Sequence, residues 1–436
     1  MTKLPELVAP TLTNTAGEVE REARSRRSNV LEALGLATVT FFVLWPLCFG
    51  WGVLGDSATV RNLARLPLVL GFLWIFLVSP FWHRDTLESL GLGNPLRLWR
   101  MLCERSGWRR ARLILAIGLL FDAMFLIGIA NWPDTARLFR LGSDARIWVV
   151  TPDGMAKAIV FCVLLSAVVT TCLVRYDNFP SAFRVALAVS AVLIAYAGTA
   201  ALLHRGAAAF SAFNPSRYVL DVFAYVFWGG LQQFFFTAYF ATRLRKGFAP
   251  SARPENVIQP AGRPRAMIGS GLVAAAVLAP AIWFTVRGLY GPEQASIAML
   301  IWCAVFAFPV GAIWMYFFSR DKKRMLVATL SGSFFGLIHM DSYGLVLATF
   351  GLGTILAWVF MEDRYRNLSA LGFIHGFLGS TFGKLFKGEA AGVLRIDYRV
   401  GPWNVEQPTA PVLVIPMICL IIYAGFLIWA ARRVTA

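Results

Sequence analysis

Long apolar runs separated by short polar segments make up most of this chain. A helix needs about 20 apolar residues to cross a bilayer, and runs of roughly that length predict an all-α, polytopic transmembrane helix bundle of about twelve spans. The predicted spans are residues 31–54, 66–82, 113–131, 157–174, 183–203, 218–241, 267–286, 295–318, 325–340, 344–361, 368–386 and 410–431. Only a few residues around Asp341 separate the ninth from the tenth, which predicts a tight helical hairpin.

The basic residues predict the orientation of these spans. With twelve spans both termini lie on one side, and the loops on that side together with the two tails hold about two-thirds of the 41 lysines and arginines. An excess of Lys and Arg marks cytoplasmic loops, so both termini are predicted to be cytoplasmic. The loops on that side are residues 83–112, 175–182, 242–266, 319–324 and 362–367.

Composition supports the membrane assignment and narrows the class of partner. Of 436 residues, 58% are hydrophobic and 15% charged, with a formal net charge of +17. The basic residues cluster in loops between spans, where they suit anionic lipid headgroups. The predicted partners therefore include these headgroups and exclude nucleic acid. The six cysteines form no CxxC pair, so neither a disulfide framework nor a thiolate metal site is predicted.

Four predicted spans carry polar or ionisable side chains at membrane depth. Such groups are costly in lipid and are functional candidates by default. They are Asp122, the pair Gln232 and Gln233, His339 and His375. Singly, each is explained by a hydrogen bond across a helix interface, worth about 1 kcal/mol. Together they indicate a site, and a transporter with Asp122 and the histidines as a proton relay stays open as one interpretation.

Two of these positions lie in a recognisable pattern. The stretch from Phe335 to His339 reads FGLIH and resembles the FxxxH motif of the CPBP family, which includes the type II CAAX prenyl proteases. His375 resembles the start of that family's HxxxN or HxxxD motif, and the block 326–386 carries the resemblance. The family's EExxxR motif reads Gln232-Gln233 followed by Thr237 in place of arginine. The third motif has Gly379 in place of Asn or Asp.

The resemblance implies a division of the chain. Residues 1–30 would be a cytoplasmic tail, and residues 31–215 would be transmembrane helices of unassigned role. A CPBP-like core would span 216–386, with inserted helices over 267–318. Residues 387–436 would hold a non-cytoplasmic loop and the last helix. The implied location is the bacterial cytoplasmic membrane.

The implied function is an intramembrane endopeptidase that cleaves a membrane-anchored or lipidated protein or peptide. In it, His339 and His375 would orient water or stabilise the oxyanion, and Gln232 and Gln233 would position the histidines or the substrate carbonyl. The alternative is a catalytically silent scaffold or immunity-type membrane factor that binds such a partner without cleavage. The resemblance does not indicate an oligomeric state.

The glutamines remove the base that the family places in its first motif, because an amide cannot take a proton near neutral pH as a carboxylate of raised pKa can. Asp341 and Asp122 are the candidate replacement bases. In the metal version of the mechanism, His339 and His375 would bind a divalent ion such as zinc. Catalytic zinc usually takes three protein ligands, and these two residues supply only two of them.

Overall fold

The computed structural model describes residues 16–40, 66, 69–103, 107–130, 152–207, 214–248, 259–293, 295–339, 343–386 and a few positions between 421 and 432. Every regular element in these ranges is helical. The α-helices are α1 Ala16–Thr38, α2 Ser79–Trp82, α3 Pro95–Cys103, α4 Gly107–Ala130, α5 Pro152–Val168, α6 Phe179–Arg205, α7 Pro215–Gln233, α8 Phe240–Phe248, α9 Arg263–Tyr290, α10 Ile297–Arg320, α11 Lys322–Leu337, α12 Tyr343–Phe360 and α13 Leu368–Phe386.

Three π-helical segments interrupt or extend these helices. They are Trp74–Val78, Val169–Leu173 and Phe234–Tyr239. The third joins α7 to α8, so that Pro215–Phe248 forms one continuous helical stretch. π-helical turns are rare and occur frequently at functional sites, and this one begins directly after the glutamine pair.

Five helical stretches in the described ranges are long and apolar enough to cross a membrane: Ala111–Ala130, Gly154–Leu173, Pro215–Phe248, Pro260–Gly288 and Ile297–Arg320. Three shorter apolar helices are Val69–Trp82, Phe179–Ala195 and Leu345–Phe360. These eight coincide with eight of the twelve predicted spans, and the chain is an integral membrane protein. The predicted spans 31–54 and 410–431 lie mostly outside the described residues. The predicted spans 325–340 and 368–386 correspond to the helices α11 and α13, which are not among these eight, so the total of twelve stays a prediction.

One core cluster packs α1, α8 and the π-helical segment Phe234–Tyr239 against α11, α12 and α13, and α7 crosses α13 beside it. Fully buried side chains from distant parts of the sequence meet there, among them Val30, Tyr239, Leu330, Phe334 and Leu371. Segments on both sides of the predicted boundary at 215 therefore share one hydrophobic core.

Two helical hairpins complete the described structure. In the α11–α12 pair a Cβ built at Gly332 would lie 2.6 Å from the backbone nitrogen of Thr354, so only glycine permits this approach. Of the five residues between the two helices, 340–342 lie outside the described residues. In the α9–α10 pair Gly311 approaches the backbone of Ser270 in the same way. This second pair corresponds to the predicted inserted helices.

Side chains close several of the helix ends. The side chains of Asn214, Ser296 and Asp321 each accept a hydrogen bond from a backbone N–H in the first turn that follows. At the C-terminal end of α12, Arg324 donates to the carbonyl of Trp358 and Arg366 to the carbonyls of Phe360 and Met361. Arginines at a helix C-terminus satisfy its last carbonyls and complement its dipole.

The basic loop 83–112 contains the short helix α3, which has an exposed apolar face. Leu96, Trp99 and Leu102 keep 69%, 68% and 44% of their surface exposed, and Arg97 and Arg100 lie between them. This pattern is typical of helices that lie in the bilayer interface.

Candidate functional site

His375 comes next to α7 because glycines let α13 and α7 approach closely. A Cβ built at Gly229 would lie 2.9 Å from the Cβ of His375, and one built at Gly372 would lie 2.9 Å from the Cα of Gly230. At Gly376 a Cβ would lie 2.5 Å from the backbone of Val226. Small residues at a helix crossing allow backbones to pack this tightly in membranes.

A buried chain of three side chains holds the His375 ring. The hydroxyl of Thr237 donates to Oε1 of Gln233 at 2.5 Å, and Nε2 of Gln233 lies 2.9 Å from Nδ1 of His375. An amide nitrogen only donates, so Nδ1 of His375 accepts. A neutral imidazole carries its one proton on the other nitrogen, which makes Nε2 of His375 an N–H donor.

His339 has the opposite tautomer. It lies two residues beyond the end of α11, and its Nδ1 is 2.9 Å from the carbonyl oxygen of Phe335. A carbonyl only accepts, so Nδ1 of His339 carries the proton and the lone pair is on Nε2. A backbone carbonyl is a common partner for orienting an imidazole whose other nitrogen works as a base or ligand.

The Phe335 ring contacts both imidazoles. Its centroid lies 5.2 Å from that of His339, in an edge-on arrangement, and 5.3 Å from that of His375. Phe335 itself is fully buried. The two predicted histidines therefore pack against the same aromatic side chain, although they are 36 positions apart in the sequence.

Tyr225 takes the space beside Gly379, where the resemblance places an Asn or Asp. A Cβ built at Gly379 would lie 2.3 Å from the Tyr225 ring, so a side chain larger than glycine does not fit. The same ring lies 5.9 Å, centroid to centroid, from His375. The sequence pattern did not point to Tyr225, because an aromatic residue on an apolar helix is unremarkable.

The remaining predicted site residues are Gln232, Asp122 and Asp341. In the described part of the chain, two buried side-chain oxygens have no hydrogen-bond partner. They are Oε1 of Gln232 and Oδ1 of Asp122 on α4. In those ranges no hydrogen bond or ion pair joins Asp122 to either histidine. Asp341 lies outside the described residues. The roles of Gln232, Asp122 and Asp341 stay predictions.

The donor set around the two histidines does not fit a zinc site. No group of three or more His, Cys, Asp and Glu side chains in the described ranges could hold a metal ion. In addition, Nδ1 of His375 is occupied by Gln233 and its Nε2 carries the proton, so neither nitrogen offers a lone pair. We therefore derive no step through a metal.

A second buried polar group, which the sequence pattern did not predict, links α1, α2 and α8. His83 lies 2.7 Å from one carboxylate oxygen of Glu32, and the other oxygen accepts hydrogen bonds from Ser79 and Tyr239. Arg243 lies 3.2 Å from the same carboxylate.

Asp85 completes this group, which we call the α1–α8 ionic cluster: Asn29, Glu32, Ser79, His83, Asp85, Tyr239, Arg243 and Lys246. Asp85 accepts from both Arg243 and Lys246, and the side chains of Asp85 and Arg243 are fully buried. Its members come from three separate stretches of sequence, which is why no local pattern revealed it.

A third polar group joins the turn before α6 to the turn before α13. Arg175 donates to Asp363 at 3.2 Å and to Asp177 at 3.1 Å, and Asn178 donates to the carbonyls of Asp363 and Arg366. Partial burial on its own raises the pKa of the Asp363 carboxyl. The hydrogen bond from Arg175 and the positive charges of Arg175 and Arg366 outweigh that effect and hold the pKa below its usual value.

Comparison with known proteins gives one match. The family described as type II CAAX prenyl endopeptidase Rce1-like matches residues 311–380. That stretch includes both histidines and ends one residue beyond Gly379, and it agrees with the resemblance to CPBP proteases seen in the two histidine motifs. Neither a curated protein nor a solved structure matches the chain.

Proposed function

We propose that this chain is a CPBP-like intramembrane endopeptidase that cleaves a membrane-anchored or lipidated protein or peptide. The observation that carries the proposal is the pair of Nδ1 contacts, of His339 with a carbonyl oxygen and of His375 with an amide nitrogen, which assigns opposite tautomers to two rings packed against one phenylalanine. One imidazole offers a lone pair on Nε2 and the other an N–H on Nε2. Hydrolysis of an amide bond needs one group of each kind.

In this proposal His339 is the general base. Its Nε2 takes a proton from water as the water oxygen attacks the carbonyl carbon of the scissile peptide. A neutral imidazole can act as a general base, so this step does not need the carboxylate that the family places in its first motif. The protonated His339 then returns the proton to the leaving amine nitrogen as the carbon–nitrogen bond breaks, so protons balance over the cycle.

His375 stabilises the charge that develops on the carbonyl oxygen. Its Nε2–H donates to that oxygen as it becomes an oxyanion, which is the role of a preorganised donor. Gln233 is a positioning residue, because its amide keeps the proton of His375 on Nε2, and Thr237 in turn keeps the amide in that orientation. A glutamate at position 233 would accept from Nδ1 and reverse this tautomer.

The apolar surroundings and the membrane spans favour a substrate that is itself held in the bilayer. Gln233 lies in the apolar stretch Pro215–Phe248, which is long enough to cross a membrane, and α11 and α13 pack beside it, so we expect a peptide to reach the site from the membrane. The proposal keeps the predicted bacterial cytoplasmic membrane, with both termini cytoplasmic and anionic lipids at the basic loops.

The test is cleavage by the purified full-length chain in lipid vesicles. Tail-anchored and prenylated peptides would be added, and products would be identified by mass spectrometry for wild type, His339→Ala and His375→Ala. The proposal expects a defined cut in at least one anchored peptide that both variants lose. Capture of a peptide without any cut, equal in all three proteins, would instead support the silent scaffold and contradict the proposal.

A further inference from the structure

A cavity of about 400 Å³ lies beside α7, and Asp85 of the α1–α8 ionic cluster lies at one end of its wall. α4, α5 with its π-helical extension, the start of α13 and the loop 80–92 form its other walls. The side chains that fill most of the wall are apolar and largely aromatic: Phe121, Phe125, Leu165, Phe227, Leu231 and Phe234.

The cavity and the imidazoles lie on opposite flanks of α7. Successive helical residues are rotated by about 100°. Phe227, Gly230 and Leu231, which line the cavity, therefore centre on a direction about 170° from that of Tyr225 and Gly229, which contact or adjoin His375. A ligand chain in the cavity is separated from the candidate catalytic groups by the body of the helix.

The polar groups in the wall are already bound within the protein. Asp85 is paired with Arg243 and Lys246, and Ser369 donates to the carbonyl of Leu173 at 3.0 Å. Thr86 caps the 3₁₀ helix Leu87–Leu90 by accepting a hydrogen bond from the backbone N–H of Ser89. Each of these three polar side chains thus has a partner within the protein, and cavities with mainly apolar walls stay dry and take apolar molecules.

The cavity opens sideways out of the helix bundle. In the described part of the chain, Phe76, Leu87 and Val168 at its edge keep 41%, 38% and 49% of their surface exposed. Its polar end is the loop 80–92, at the membrane end where α13 begins. An apolar void of this size facing lipid forfeits the close packing of protein interiors unless something fills it.

We infer that this cavity is a binding site for one acyl chain of a bilayer phospholipid. The chain enters between the π-helical segments 74–78 and 169–173, with the lipid headgroup at the surface by the loop 80–92. A lipid anchor of a peptide bound at the imidazoles would have to pass around α7 to reach the cavity, which favours a free bilayer lipid. The inference is independent of catalysis.

Photo-crosslinking tests this site. The full chain would be reconstituted in phosphatidylcholine vesicles that contain a phospholipid with a diazirine in its acyl chain, and adducts would be mapped by mass spectrometry. We expect adducts on the cavity wall, at 165–173 and 227–234. Leu165→Trp, which fills the cavity, should lower their yield about tenfold, equal to about 1.4 kcal/mol of binding free energy. Val168→Trp, which fills it from the edge, is the second variant.

The matched control is Val160→Trp, on the same helix at a position that is 58% exposed and outside the wall. It should leave the adducts on the wall unchanged. Adducts confined to exposed helix faces, or an undiminished yield in both filling variants, would overturn the inference. Thermal unfolding of each variant establishes that the protein is folded.

Two further experiments distinguish the binding of a bilayer lipid from the proposed catalysis and from the binding of a substrate's lipid anchor. His375→Ala should keep the wall adducts, because the imidazole is not part of this site. An excess of isoprenoid-anchored peptide should leave them in place. If that peptide displaces the lipid, the cavity belongs to a substrate's anchor and the assignment to a bilayer phospholipid is wrong.

Discussion

At the scale of single residues, the two imidazoles differ in which ring nitrogen carries the proton. The sequence does not show which nitrogen is protonated, because the partner of Nδ1 decides it in each ring. For His339 that partner is the carbonyl of Phe335, and for His375 it is the amide of Gln233. At the position where the resemblance places a glutamate, Gln233 provides no base, and its amide makes Nε2 of His375 a donor.

Gln233→Met keeps the length of the side chain and removes both hydrogen bonds. Nδ1 of His375 and the hydroxyl of Thr237 lose their partners in a buried site, at a cost of about 1–3 kcal/mol each. We expect kcat/KM for an anchored peptide to fall by about 10²-fold. ¹⁵N NMR of labelled histidine should show that His375 no longer holds a single tautomer.

Gln259→Met makes the same chemical change at an exposed glutamine before α9 and is the control. It should leave both kcat/KM and the histidine spectrum as they are in wild type. A Gln233→Met protein with wild-type kcat/KM and an unchanged His375 signal would show that the amide does not position the ring.

At the scale of the elements, the α7–α13 crossing depends on glycines that leave no room for a methyl group. Gly376→Ala would place a Cβ against the backbone of Val226, which cannot move without shifting the helix. We expect a loss of about 1–3 kcal/mol of stability from overpacking, together with lower activity because His375 moves away from Gln233. Thermal unfolding in detergent and the cleavage assay measure the two effects.

Gly351→Ala, in the middle of α12, is the matched control because nothing lies within 4 Å of the added methyl group. Alanine is favoured over glycine inside a helix by about 1 kcal/mol, so this variant should be as stable as wild type or more so. Equal behaviour of the two glycine variants would contradict the close-packing account of the crossing.

The α1–α8 ionic cluster attaches the first described helix to the rest of the bundle. Arg243→Met leaves Asp85 buried with Lys246 as its one remaining ionic partner and removes a cation from Glu32. Breaking a buried ion pair in this way costs about 3–5 kcal/mol. We expect α1 to become sensitive to trypsin at temperatures where the wild type resists cleavage.

Arg24→Met, at an exposed position on α1, removes one arginine without touching the cluster. Its trypsin resistance should match that of wild type apart from the lost cleavage site. If α1 of the Arg243→Met protein resists trypsin as well as α1 of the wild type does, the cluster does not attach this helix to the bundle.

At the scale of the whole molecule, the junction between Arg175 and Asp363 joins turns 188 positions apart. The folded pKa of Asp363 lies below its unfolded value, so its contribution to stability is present above a pH of about 3.9 and is lost as the pH falls through the folded pKa. The carboxyl is largely exposed, which keeps the effect small.

Asp363→Asn should therefore have a lower thermal unfolding midpoint than wild type at pH 6. Between pH 6 and pH 3 its midpoint should change less than that of wild type. A difference of roughly 2 °C is the expected size. Glu293→Gln, at an exposed glutamate in the turn between α9 and α10, should retain the wild-type pH dependence. Parallel pH curves for Asp363→Asn and wild type would contradict a contribution from this ion pair.

The sequence predicts the histidines and most of the described apolar helices because both are local signals. FGLIH is a short pattern, and a span is a run of one composition. The contact between Gln233 and His375 follows from the family resemblance, but its hydrogen-bond direction does not. The α1–α8 ionic cluster and the place of Tyr225 beside Gly379 are outside the reach of local patterns, because they depend on how distant helices cross.

The central claim is that His339 and His375 act together in the hydrolysis of an anchored peptide. The most direct measurement is kcat/KM in vesicles for wild type, His339→Ala, His375→Ala and the double variant. The account predicts that each single variant loses about 10²–10⁴-fold, and that the double variant loses little more, because residues that act as a unit are not additive. Wild-type kcat/KM in either single variant, or losses that multiply in the double variant, would contradict it.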